Sequence, residues 1–145
     1  MTGASGEWAG VEIREARPDD YEAIAAFTRN TWGDRHGSDY VPRIYDDWIE
    51  VDDPEARERQ FTCVAEVDGT VVSIAQTVLL SEHEAWCQGM RTDPAYRGAG
   101  IGAGLTHEMW DWARERGATV AQSHISCVRP APMPAPRYAG SVRIP

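Results

Sequence analysis

Arg97-Gly98-Ala99-Gly100-Ile101-Gly102-Ala103-Gly104 is the stretch of sequence that decides the fold and most of the function. Four glycines alternate with small or apolar residues, and a strongly helical segment follows. Glycines remove the β-carbons that would keep a ligand away from the backbone, and the amides at a helix start have no intrahelical partner. The helix dipole and the Arg97 guanidinium add positive charge at the same place. The stretch therefore predicts a phosphate-binding site.

The residues before this stretch alternate between strand-like and helical patterns. Residues 11–14 alternate in polarity and predict a first strand, and Pro18 with the acids after it begins a helix. Residues 40–51 predict a second helix, because their aromatic and aliphatic side chains recur at three- and four-residue spacing. Asp68-Gly69 joins two apolar runs as a hairpin, and residues 85–92 complete a three-strand meander.

The residues after it predict one helix, one strand and then an irregular segment. The helix runs from Ala99 to about Arg116 and is capped by Gly117, and a strand follows over residues 118–125. Prolines then interrupt any regular element. We therefore expect a flexible tail over residues 1–10, one domain over residues 11–126, and an irregular proline-rich tail over residues 127–145.

Composition limits the partners that such a domain can have. The net charge is −9 and all 14 basic residues are arginine, so no nucleic-acid partner is expected. An acid excess without lysine is typical of a halophile and is equally explained by a high-GC codon bias. Neither a signal peptide nor a membrane partner is expected. The odd and widely spaced Cys63, Cys87 and Cys127 indicate reduced thiols in a cytoplasmic protein, without a metal site.

Several kinds of glycine-rich helix start compete for the stretch. A dinucleotide-binding fingerprint matches residues 98–103, but the strands before it form an antiparallel meander, and Val120-Ala121-Gln122 stands where a ribose-binding acid is required. A P-loop is excluded because there is no Gly-Lys-Ser/Thr. Close packing of the helix is the remaining structural explanation, and it would not explain Arg97 beside four glycines.

The stretch and its flanks resemble the acetyl-CoA site of the GNAT superfamily of N-acetyltransferases. The family motif, Gln/Arg-x-x-Gly-x-Gly/Ala, stands here as Arg97-Gly98-Ala99-Gly100-Ile101-Gly102, after the strand Gln88-Gly89-Met90-Arg91-Thr92 and Asp93-Pro94. The resemblance spans Ile13 to about Ile125. It implies an α/β (α+β) fold with a mixed, mostly antiparallel sheet flanked by helices. The implied order is β-α-α-β-β-β-α-β, with the final helix and strands missing or irregular.

The resemblance also implies how acetyl-CoA, the co-substrate, binds. Backbone groups of Met90 and Thr92 would pair with the pantetheine arm as an added strand does. Arg97 would lie close to the pyrophosphate, and Arg91, which alternates away from its two neighbours, is expected as a nearby cation of structural or functional use. The amides that would hold the pyrophosphate are those of Gly98, Ala99, Gly100, Ile101 and Gly102.

Members of this superfamily usually transfer acetyl directly to a primary amine through a tetrahedral intermediate. By resemblance, the Met90 amide would stabilise the oxyanion. Glu84 is the candidate base, since it lies at the entry of the strand that carries Met90. Glu82 and His83 stand in the adjoining turn, and each of these three residues is also explained as a solvated turn residue. Tyr138 is the candidate acid, because it is the only tyrosine after the fifth predicted strand.

The acceptor is expected to be a small amine, an amino acid or a protein amino group. The aromatic helix over residues 40–51 lies where the acceptor side of the family is expected, and its aromatic side chains either shape a pocket or belong to the core. Asp46 and Asp47 would attract a cationic amine or form a solvated helix face. A homodimer is compatible with the family.

The end of the chain departs from the family pattern. Residues 116–145 contain no acidic residue, and five of the nine prolines stand after residue 129. The asparagine and the glycine-phenylalanine pair that accompany the family's tyrosine are missing. One hypothesis is a shifted reading frame or a replaced end after about residue 121. The alternative function is therefore a non-catalytic acyl-CoA-binding or interaction module, or an inactive remnant.

Overall fold

The computed structural model of the chain describes residues 10–29, 39–124 and 139–144. Short 3₁₀ turns at Pro18–Asp20 and Pro94–Tyr96 precede the first and the last helix. The expected order of elements is confirmed, with a short third helix and a sixth strand in addition. The elements are β1 (Val11–Glu15), α1 (Tyr21–Thr28), α2 (Val41–Ile49), α3 (Pro54–Glu58), β2 (Gln60–Val67), β3 (Thr70–Leu79), β4 (Glu84–Thr92), α4 (Ile101–Glu115), β5 (Val120–His124) and β6 (Ala139–Arg143).

The six strands form one sheet in their order along the chain. Neighbouring strands are antiparallel except β4 and β5, which are parallel. The predicted hairpin joins β2 to β3, and its Asp68 and Gly69 have φ of 50° and 84°. Two positive φ angles are what a type I′ turn requires. The mixed, mostly antiparallel sheet that the sequence predicts is confirmed.

The end of the chain is not irregular throughout. Residues 139–143 form β6, which pairs antiparallel with β5, and Ile144 is buried while its amide donates to the Thr119 carbonyl at 3.0 Å. The expected irregular tail therefore does not hold for this stretch. The reason is that the stretch lies beyond the clustered prolines, so every residue in it has an N–H for the ladder. Tyr138 and the rest of residues 125–138 lie outside the described residues.

Helices cover both faces of the sheet. On one face, α4 packs Ile101, Leu105 and Met109 against β2 and β3. On the other face, α1 and α2 bury side chains against β2 and β3, as their sequence periodicity predicts. Trp112, expected on the inner face of α4, is only partly buried and stacks on Phe61 with ring centroids 5.6 Å apart. The buried residues of α1 and α2 are Ile24, Phe27, Thr28, Val41 and Tyr45.

A buried ion pair fixes the chain between β1 and α1. The two terminal nitrogens of Arg14 donate to the Asp20 carboxylate at 2.9 and 2.8 Å, and the Arg17 amide donates to the same carboxylate at 2.7 Å. Arg14 also donates from Nε to Glu66 on β2 at 2.9 Å. Burial by itself would raise the pKa of Asp20, but the hydrogen bonds and the Arg14 charge outweigh it and lower the pKa.

We predict that Asp20→Asn lowers the free energy of unfolding by about 2 kcal/mol at neutral pH, because Arg14 loses a charged partner. Since the folded-state pKa of Asp20 is lowered, its contribution is present above the unfolded-state value of about 3.8 and is lost as the pH falls through the folded-state pKa. The difference between wild type and variant should therefore shrink below pH 3.8. Urea unfolding on both sides of this pH measures it.

Asp19→Asn is the matched control, because this carboxylate is the exposed neighbour of Asp20. Its free energy of unfolding should stay close to that of the wild type across the same pH range. Equal stability of wild type and Asp20→Asn at neutral pH would contradict the role that we assign to the pair.

Candidate functional site

The second half of β4 has a hydrogen-bonding edge that no strand covers among the described residues. β3 pairs with β4 as far as Thr92. In contrast, β5 pairs with β4 only as far as Cys87, which lies opposite Ser123. The backbone of residues 88–92 therefore presents a free edge on the β5 side. A free strand edge can bind an extended ligand as an additional strand.

A β-bulge interrupts the same part of β4. Gly89 and Met90 together lie opposite a single residue of β3, Ala75. Gly89 has a φ of +66°, and a Cβ on it would lie 2.4 Å from Cη2 of Trp48 on α2. Glycine is thus required at this position by both the backbone conformation and the space that the tryptophan ring occupies.

The glycine stretch forms the turn into α4. Gly98 and Gly100 have φ of 78° and 80°, and the Gly100 carbonyl accepts the first helical hydrogen bond, from the Gly104 amide at 3.0 Å. No described side chain caps this helix, so the amides of residues 101–103 lack partners, as the sequence predicts. A Cβ on Gly98 would meet no described atom within 4 Å, and the turn is open there.

The other two glycines of the stretch allow close packing. A Cβ on Gly102 would lie 3.4 Å from Sδ of Met90, and a Cβ on Gly104 would lie 3.0 Å from Cδ1 of Ile13. The first turn of α4 can therefore lie directly against the sheet. The packing explanation is correct for these two positions, and it brings the helix start beside the bulge.

Arg97 is exposed between the end of β4 and this turn. Its Nε donates to the Thr92 carbonyl at 3.3 Å, and its two terminal nitrogens have no acceptor among the described residues. The Thr92 hydroxyl lies 2.9 Å from the Ser73 hydroxyl, which fixes the end of the strand. The structure therefore brings together Met90, Thr92, Arg97 and the amides of the glycine turn.

Arg91 points away from the glycine turn, as its alternation along the strand predicts. It is not a surface cation, since its side chain is only 12% exposed. Its Nε donates to Asp39 at 2.7 Å and one terminal nitrogen donates to the Met90 carbonyl at 3.0 Å. Its guanidinium also lies 5.3 Å from the centre of the Tyr40 ring.

Glu84 lies at the opposite end of β4 from the glycine turn. It is six positions from Met90, a separation of about 20 Å at the rise of a β-strand. Its two carboxylate oxygens accept hydrogen bonds from the Ser81 hydroxyl at 3.1 Å and the Gln122 amide at 3.0 Å. The structure therefore does not bring Glu84 to the bulge, and Glu82 and His83 are exposed in the turn before it.

A chain of polar side chains on the sheet face opposite α4 is not predicted by the sequence. Trp86 donates to Gln88 at 3.1 Å, Gln88 donates to Gln76 at 2.6 Å, and Gln76 donates to Gln60 at 2.9 Å. Gln76 is fully buried. Glutamines at same-face positions of three predicted strands are the signal that could have revealed the chain. It stiffens β4 immediately before the bulge.

Other features of the described residues assign no chemistry. Free thiols are present at buried Cys63 and half-buried Cys87, and burial raises the pKa of the Cys63 thiol to about 12. In residues 10–29, 39–124 and 139–144, no group of three or more His, Cys, Asp or Glu side chains could hold a metal ion. The same ranges contain no helix that is long and apolar enough to cross a membrane. A cavity of about 460 Å³ lies away from the glycine turn and is lined by Glu55, Glu58, Arg59, Leu79 and Arg116.

The sequence matches the model of the acetyltransferase (GNAT) family over residues 13–129. This range covers most of the chain and includes both the β4 edge and the glycine turn. The chain therefore belongs to the acetyltransferase (GNAT) family. A comparison with curated proteins gives no significant match.

Solved structures share the fold. PaiA N-acetyltransferase from Thermoplasma acidophilum, in complex with coenzyme A, is 15% identical with a TM-score of 0.63, over 81% of this chain and 80% of that one. Ribosomal-protein-S18-alanine N-acetyltransferase from Escherichia coli is 17% identical with a TM-score of 0.63, over 80% and 67%. A transcriptional regulator from Bacillus halodurans is 25% identical with a TM-score of 0.65, over 80% and 82%. These likenesses confirm the predicted fold.

We predict that Gly89→Ala destabilises the protein more than Gly69→Ala. Both glycines have positive φ, but only a Cβ on Gly89 would meet another atom closely, Cη2 of Trp48 at 2.4 Å. Gly69→Ala should cost about 1–2 kcal/mol for the left-handed backbone, and Gly89→Ala about 1–3 kcal/mol more for overpacking. Chemical denaturation measures both, and equal losses would show that Trp48 does not pack on the bulge.

Proposed function

We propose that this protein transfers the acetyl group of acetyl-CoA to a primary amine. One observation carries the proposal: the free edge of residues 88–92 lies next to a helix start whose amides are uncapped and open. The edge suits the amide groups of a pantetheine arm, and the helix start suits a pyrophosphate. Family membership supports acyl transfer, and related structures of the same fold contain coenzyme A.

In this proposal, each part of the site binds one part of acetyl-CoA. Backbone groups of Met90 and Thr92 pair with the pantetheine arm. The amides of the turn from Gly98 to Gly102, including those of Ala99, Gly100 and Ile101, bind the pyrophosphate, and Arg97 adds its two free terminal nitrogens. The local donors are needed because the chain as a whole carries a charge of −9, which repels an anionic ligand.

The chemistry is direct attack by a neutral amine on the thioester carbonyl. A carbon–nitrogen bond forms, the carbon–sulfur bond breaks, and the proton that the amine loses ends on the coenzyme A thiol. The Met90 amide donates to the oxyanion of the tetrahedral intermediate. Because Glu84 is about 20 Å along the strand from Met90, a base at Glu84 would receive the proton through a relay of water molecules. Tyr138 remains the proposed acid for the leaving thiolate.

The acceptor in this proposal is a small amine, an amino acid or a protein amino group. Asp46 and Asp47 are exposed on α2, and their negative charge would favour the approach of a cationic amine. The ribosomal-protein-S18-alanine N-acetyltransferase that shares the fold is named for a protein acceptor, which supports the inclusion of protein amino groups.

A second candidate is a non-catalytic acyl-CoA-binding module, which the distance between Glu84 and Met90 favours. Calorimetry with acetyl-CoA, followed by a thiol-release assay over a panel of amines in low and high salt, separates the two functions. Thiol release with any amine supports transfer, and binding without release supports the module. No binding of acetyl-CoA contradicts both.

We predict that Arg97→Gln weakens acetyl-CoA binding about tenfold or more, because a charged hydrogen bond to phosphate is lost. Acetyl-pantetheine, which lacks the pyrophosphate, should bind the wild type and this variant equally. Arg114→Gln is the control, since it removes an exposed arginine from the far end of the same helix. Titration calorimetry at low salt measures all three proteins. An unchanged acetyl-CoA affinity in Arg97→Gln would contradict the placement of the pyrophosphate.

A further inference from the structure

We propose that Asp39 and Arg91 are positioning residues that hold the Met90 peptide in place for acetyl transfer and link it to α2. This inference rests on the proposed function, because it concerns the strand that would carry the pantetheine arm and the oxyanion donor. It assigns a task to a side chain that faces away from that ligand.

The Met90 peptide lacks part of the support that other peptides of the sheet receive. It lies in the bulge opposite Ala75, where the ladder with β3 is irregular. On its other side, the described pairing with β5 has already ended at Cys87. Ladder hydrogen bonds orient peptide planes, and a bulge disrupts them locally. A hydrogen-bond donor to an oxyanion needs a fixed orientation, so this peptide requires another support.

Arg91 supplies such a support. Its guanidinium donates to the Met90 carbonyl at 3.0 Å and to Asp39 at 2.7 Å. A planar guanidinium with several donors in fixed directions can bind two acceptors together, which an ammonium group on a flexible stem does less well. The side chains of Arg91 and Asp39 are only 12% and 1% exposed. Shielding from water strengthens these hydrogen bonds.

Asp39 extends the support to α2. One carboxylate oxygen accepts from Arg91, and the other accepts from the amide of Val41, the first residue of α2, at 3.0 Å. Near its other end, α2 carries Trp48, whose ring fills the space above Gly89. The helix therefore contacts the bulge region at both of its ends. A ligand that aligns the Met90 peptide should also stabilise the bond between Asp39 and Val41, and this coupling is reciprocal.

The amide of Val41 reports on this coupling, because its hydrogen-bond acceptor is the Asp39 carboxylate. In the wild type, saturation with acetyl-CoA should slow hydrogen exchange at this amide about fivefold or more, as measured by NMR. Asp39→Asn keeps an acceptor for the amide but removes the charge. It should abolish the ligand-dependent slowing and weaken acetyl-CoA binding by a similar factor. Arg91→Lys, which keeps the charge without the fork, should do the same.

Two control variants separate positioning from a loss of stability. Ile24→Val weakens the core beside α2 without touching the ion pair, and it should keep both the slowing and the affinity. Asp111→Asn breaks an exposed arginine–aspartate pair on α4 and should also keep both.

The outcomes distinguish this inference from the proposed function. If the wild type does not bind acetyl-CoA, the proposed function fails and the inference fails with it. If the wild type binds acetyl-CoA but exchange at Val41 does not change, the inference alone is overturned. Unchanged affinity and unchanged slowing in both Asp39→Asn and Arg91→Lys also overturn it, and if one of them does not fold, the other decides.

Discussion

β4 forms hydrogen bonds with β3 along its length but with β5 only over its first four residues, and the whole candidate site depends on this unequal pairing. The parallel ladder ends at Ser123, so the last part of β4 keeps an open edge on the β5 side. The glycine turn begins a few residues beyond that edge. If the ladder continued to Thr92, the turn could still bind phosphate, but no extended arm could lie beside the strand.

The elements of the fold could be predicted because their signals are local. Asp68-Gly69 specifies its turn from two residues, and Gly117 ends α4 through hydrogen bonds to the preceding turn, from the amides of Gly117 and Ala118 to Arg114 and Ala113. β6 escaped prediction because a strand that pairs in a ladder needs only free backbone groups, and the proline-rich segment before it hid a short proline-free run. Hydrophobic patterning does not record where a neighbouring strand stops.

The phosphate-binding half of the site could be predicted, whereas the acid–base half could not. Glycine conformation and uncapped amides are properties of one short stretch, so the sequence displays them. A base has to meet the reacting atoms across the fold. Glu84 illustrates the difference, since an extended strand separates two of its own residues by about 3.3 Å per position. Gly89 in the middle of a strand was a visible sign of a bulge. Its partner Trp48 and the Asp39–Arg91 pair follow no spacing rule, because they form only when α2 packs on the sheet.

The contact between α4 and β1 has a consequence for how such a site evolves. A Cβ on Gly104 would lie 3.0 Å from Cδ1 of Ile13. Because protein interiors are close-packed, the volumes at the two positions are linked, and alanine at one is best accommodated by a shorter side chain at the other. The two positions are therefore expected to co-vary among related sequences. The first strand, which takes no part in any chemistry proposed for this protein, thereby limits which substitutions the phosphate-binding turn can accept.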